Sequence, residues 1–150
     1  MMETSVTDEL RGRCISELLG GGCSLVAVIG GELRHFHKRG VADLHELVTG
    51  GGDELAGAFV ADKVVGKGAA ALMAVGGVAG VYAATISRPA LELLECSGVD
   101  VEYGNLVDNI INRAGTGVCP VESLCSGVSA PEECLPLITR FLESAELKRI

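Results

Sequence analysis

The stretch "NRAGTGVCPVE", Asn112 to Glu122, gathers an asparagine, an arginine, a flexible Gly-Thr-Gly and a Cys-Pro step ending on a glutamate. Proline suits the first position of a helix, which makes Cys119 the N-cap and Glu122 the third helical residue. A thiol at the positive end of a helix, with Arg113 nearby, has its thiolate favoured. Cys119 is therefore the strongest nucleophile candidate in the chain. Glu122 is its candidate acid–base partner, although a glutamate at this position also commonly reaches back to cap its own helix.

A second group lies in "FVADKVVGKGAAA". Asp62 at a strand end is expected to cap the following helix. Lys63 and Lys67, four apart, then share one helical face and hold an anionic or carbonyl-bearing group, with Lys67 the candidate base. Gly66 and Gly68 permit close approach of a ligand or another backbone. This is not a phosphate loop, because "GKG" lacks both the Ser or Thr after the lysine and the glycine five residues before it. The bland alternative is a capping aspartate with two solvated lysines. His35 and His37 alternate along a strand and share a face, but no carboxylate or cysteine stands at ligand spacing, so a structural role is expected for them and for His45.

Helices and strands must bring these groups together. Thr7 to Leu19 carries Leu10, Cys14, Ile15, Leu18 and Leu19 at helical spacing, with Thr7 as N-cap and Gly20-Gly21-Gly22 as the stop. "CSLVAVIGGELRHFHKRG" reads as two strands joined by a tight turn at Gly30-Gly31. "VADLHELV" is a short helix, and "LAGAFVADK" is a buried strand ending at Asp62. A helix over Val64–Val75, a strand over Gly80–Ile86, a helix over Pro89–Cys96, the strand "VDVEY" and a helix over "GNLVDNII" follow. The last helix opens with Ser129 as N-cap, Pro131 in its first turn and Glu132-Glu133 at its positive end. An antiparallel hairpin plus strands joined by helical crossovers gives a three-layer α/β/α sandwich on a mixed five-stranded sheet.

The chain has 150 residues, enough for one domain over 1–150, with a core over about 7–122 and a C-terminal helical extension over about 123–150. A hydrophobic content of 48% against 21% charged residues marks it as globular. Net charge is −8, and the twelve Lys and Arg form no stripe interleaved with aromatics, which argues against a nucleic-acid polymer as partner. The acidic start lacks the order of a secretory signal, so a cytoplasmic location and free thiols at all six cysteines are expected. The uncharged run Gly68–Ser87 is long enough to span a bilayer, but its Ala and Gly content and internal glycines fit a buried helix, a turn and a buried strand; no membrane partner is expected.

The pieces "ADKVVGKGAAALMA", "VYAATISRPALELL", "VEYGNLV" and "IINRAGTGVCPVE" resemble the family known as domain of unknown function 1893, over about Ile15 to Glu122. The resemblance implies a cytidine deaminase-like fold. Zinc deaminases hold their metal through a His or Cys with a glutamate two residues on, and through a Pro-Cys-x-x-Cys pair at the next helix. The corresponding helix starts here carry no His, Cys or Glu at those positions, so neither zinc nor any other cofactor is expected. What remains is a metal-free crevice. Asp62, Lys63, Lys67, Ser87 and Arg88 are expected to line two walls, and Asn112, Arg113, Cys119 and Glu122 the third. A small anionic or nucleobase-like molecule is the expected occupant. Alternatives are an unassigned enzyme using Cys119 or Lys67, or a homo-oligomer that buries the Asp62–Lys67 face against a second copy.

Overall fold

The computed structural model describes residues 7–38, 41–51, 53–112 and 114–147. Helix α1 spans Asp8–Gly20, and the hydroxyl of Thr7 accepts the Leu10 amide at 3.2 Å, as its N-cap position predicts. Strands β1 (Leu25–Ile29) and β2 (Glu32–Phe36) pair antiparallel. Their turn places both Gly30 and Gly31 at positive φ, 60° and 84°, a conformation that L side chains resist. Helix α2 (Ala42–Thr49) leads to β3 (Phe59–Val65), α3 (Lys67–Gly76), β4 (Gly80–Ser87), α4 (Arg88–Cys96) and β5 (Asp100–Val107); α5 (Pro120–Cys125) and α6 (Pro131–Leu147) complete the chain.

The five strands form one mixed sheet in the order β2-β1-β3-β4-β5, with β1 antiparallel to both neighbours and β3, β4 and β5 parallel. Alternation along the strands divides the core in two. On one face Cys14 and Leu18 of α1 pack on Val26, Val28, Phe59 and Ala61. On the other, the remaining helices bury a larger core that includes Leu44, Leu72, Met73, Leu94 and Ile138. Each fully buried Leu or Phe side chain contributes about 1.5–3 kcal/mol through removal of apolar surface from water. Among the described residues the layers are therefore unequal, one helix against five. Cys125, Cys134 and Ile138 are wholly buried, so the two C-terminal helices belong to this larger core.

Two boundaries differ from the sequence reading. Strand β3 does not end at Asp62; Val64 and Val65 continue it in register with Thr85 and Ile86, and α3 begins only at Lys67 with Gly66 as N-cap. Asp62 is thus inside a strand and caps no helix, and Lys63 and Lys67 do not share a helical face. "GNLV" likewise extends β5 beside β4, Asn105 opposite Thr85 and Val107 opposite Ser87, where a helix was expected. In both places a β-branched strand partner outweighs local preference. Gly68–Ser87 divides into α3, a turn at Gly77 with φ 82°, and β4, as its composition predicts. Among the described residues no helix is long and apolar enough to cross a membrane.

The close fit of α3 against α5 gives a first test. A Cβ on Gly68 would fall inside the van der Waals shell of Val121 Cγ1, and valine has little rotamer freedom to yield. Gly68→Ala should therefore destabilise by about 1–3 kcal/mol despite the better helix propensity of alanine. The double change with Val121→Ala should recover most of that loss in urea unfolding. Equal stability of Gly68→Ala and the unaltered chain would show that α5 shifts freely.

Candidate functional site

Strand direction sets where a site can form. Because β1 runs against β3 and β2 against β1, the end of β2, the start of β1 and the carboxyl end of β3 all meet at one end of the sheet. The N-terminus of α3, the segment after β5 and the start of α5 reach the same end. Between them lies a cavity of about 560 Å³. Its walls come from Ser24 before β1, His37, Lys38 and Val41 after β2, Asp62, Lys63 and Val64 of β3, Gly66, Gly68 and Ala69 at the start of α3, the segment Ile110 to Asn112, and Cys119 to Glu122. Val41, Val64, Ile110, Ile111 and Val121 make much of that lining apolar.

Glu122 is the structural centre of the site's inner wall. It is 2% exposed, and its Oε1 accepts the Lys67 amide at 2.6 Å and the Ser87 hydroxyl at 2.8 Å. Its Oε2 accepts the Ile110 amide at 2.5 Å. One carboxylate thus occupies the positive start of α3 and ties it to the α4 start and to the segment after β5. The expected reach-back to its own helix start is not formed, since the Cys119 amide donates to Ile110 O at 2.8 Å.

The other expected residues fall into two groups. Asp62, Lys63, Asn112 and Cys119 border the cavity together with Glu122. Cys119 is half-buried at the N-cap of α5, with no capping bond from its side chain. Asn112 accepts the Thr116 amide at 3.0 Å and donates to the Thr116 hydroxyl at 3.2 Å, folding the Gly-Thr-Gly segment onto itself.

Lys67, Ser87 and Arg88 are placed elsewhere. The Lys67 amine donates to Val128 O at 2.6 Å, so it serves the α5–α6 connection. Ser87 is fully buried as N-cap of α4, accepting the Ala90 amide, and Arg88 pairs with Asp108 on the surface at 2.9 Å. Arg113 lies outside the described residues. Ser24, His37 and Lys38 were not expected in the wall; the two strand reversals before β3 are the signal that brings them there.

Asp62 is the unusual group. It is 9% exposed, and its hydrogen bonds come from backbone amides of its own strand, Val64 N at 3.4 Å among them. Burial pushes its carboxyl up to about 7, against the lowering effect of those amides and helped by the neighbouring charge of Asp43. Asp43 accepts the Lys38 amide at 2.9 Å. Burial also pushes the thiols of Cys14 and Cys125 up to about 12, which leaves them inert as nucleophiles at neutral pH. His35 bonds Glu17, and His45 bonds the Thr139 hydroxyl at 2.8 Å, so both are structurally engaged. Among the described residues no three His, Cys, Asp or Glu side chains group so as to hold a metal ion.

Residues 13–142 match the family model described as TM1506: Domain of unknown function (DUF1893). The chain belongs to the DUF1893 family. The match extends past Glu122 through most of α6, so the family's shared region includes the C-terminal helices of the larger core. Among solved structures, a DUF1893 family protein (TM1506) from Thermotoga maritima is similar at 26% identity and a TM-score of 0.82, covering 93% of this chain and 95% of that one. No curated protein matches.

Proposed function

We propose that this DUF1893 protein binds a small molecule in the cavity at the sheet end, a metal-free site on a cytidine deaminase-like fold. The observation that carries the reading is a half-open, largely apolar chamber lined in part by a nine-tenths-buried carboxyl. A stable protein gains nothing from such a group, and a perturbed acid in a cleft marks a functional position. The apolar side chains favour a flat ring of nucleobase type. Exposed Lys63 at the border favours any negative substituent pointing outward.

Cys119 supports a second reading, an enzyme with a thiol nucleophile, because it borders the same chamber. Alkylation addresses both. Iodoacetamide labelling of Cys119, followed by mass spectrometry with exposed Cys96 as internal control, is to be measured against a panel of nucleobases, nucleotides and small heterocycles. Binding predicts that at least one compound slows Cys119 and leaves Cys96 unchanged. A panel that protects neither thiol removes the binding reading. Labelling of Cys119 no faster than in urea-unfolded chain removes the nucleophile.

A further inference from the structure

The binding reading leaves open which chemical edge the chamber selects, and the charges inside it narrow the choice. Among the described residues, Asp62 of β3 and Glu122 of α5 line this region, and Asp43 of α2 is near enough to act on Asp62. Two are already engaged, Asp43 by the Lys38 amide and Glu122 by its three donors. Among the described residues, Asp62 accepts hydrogen bonds only from amides of its own strand. Lys63 borders the chamber but is exposed to solvent, and Lys38 pairs with Glu46. An anion pushed inward would meet Asp62, whereas a planar donor pair would meet both of its oxygens.

We infer, resting on the binding reading above, that Asp62 selects a ligand presenting paired N–H donors, as on an amidine, a guanidine or a 2-amino heterocycle, with that edge inward between the apolar walls. The raised carboxyl supports this placement: a cationic donor draws the proton off Asp62, so binding strengthens as pH rises through about 7. Among the described residues, His37, Lys38, Lys63 and Cys119 are the other titratable groups around the chamber besides Asp43 and Glu122. Removing the Asp62 charge isolates its part in the pH dependence from theirs.

The test uses benzamidine, benzamide and benzoate, which share one ring and differ in the edge they present. Affinities come from calorimetry at pH 6 and pH 8, and the site from amide shifts at Gly66, Ile110 and Val121. Benzamidine should bind most tightly, gaining about tenfold from pH 6 to pH 8 as the carboxyl ionises. Asp62→Asn should weaken benzamidine about tenfold or more at pH 8 and abolish that gain. Benzoate binding as tightly as benzamidine at those amides, or Asp62→Asn leaving benzamidine and its pH slope unchanged, overturns the donor-edge inference while the cavity remains a binding site. Absence of shifts at those amides for all three compounds overturns both.

Discussion

Glu122→Ala should lower folding stability by about 3–5 kcal/mol, the scale on which removing one partner from a buried charged network is felt. The reason is the number of groups stranded. The Lys67 amide, the Ser87 hydroxyl and the Ile110 amide all lose their acceptor together, and the start of α3 loses the negative charge that complements it. Glu122→Gln keeps the shape and one carbonyl acceptor, but its amide group faces a donor, so it should fall between the two. Urea unfolding gives the values directly, and a thermal scan should show the alanine variant lower by about 2–4 °C for each kcal/mol in a chain of this size. A loss under about 1 kcal/mol for alanine would mean that water replaces the carboxylate without cost, and that the inner wall is not held by it.

Asp62→Asn should act in the opposite direction and depend on pH. An acid whose folded value is raised binds its proton in the native state between the unfolded value, 3.8, and about 7, where the unfolded chain has released it. The stability this confers is complete below 3.8 and is lost as pH rises through about 7. Asparagine approximates the protonated carboxyl at every pH. The variant should therefore be more stable than the unaltered chain by about 1–2 kcal/mol at pH 5 and by about 4 kcal/mol at pH 8, since each pKa unit corresponds to about 1.4 kcal/mol. Parallel urea midpoints across that range would show that Asp62 ionises as freely when folded as when unfolded. Retention of a group that weakens the fold at neutral pH is what a binding role for Asp62 would require.

Local chemistry was legible in the sequence where its cause is local. Thr7 caps α1, Gly30-Gly31 turns the hairpin, and Pro120 starts α5 with Cys119 before it, all from signals within four residues. The misplaced boundaries have distant causes. Val64 and Val65 stay extended because β4 lies beside them, and "GNLV" stays extended for the same reason on the other side of β4. In the site, Asp62, Lys63, Asn112, Cys119 and Glu122 border one cavity; Cys119 and Glu122 come from the start of α5, whereas Asp62 and Lys63 come from within β3, which runs on past the end read for it. Lys67 was misassigned because its amine answers a carbonyl 61 residues away, a partner no spacing rule exposes. The role of Glu122 was half legible: its place in the first turn of α5 could be read, its donors could not.

The three donors to Glu122 stand 55, 35 and 12 residues from it along the chain. Closing such loops costs configurational entropy before any bond rewards it, so this knot is tied only after the parallel strands have docked. The β1–β2 hairpin closes through two glycines and needs no such waiting. The chamber therefore joins an early-forming half of the molecule to a late-forming one, and a fluctuation that loosens α5 opens the chamber from its late side while the hairpin side stays in place.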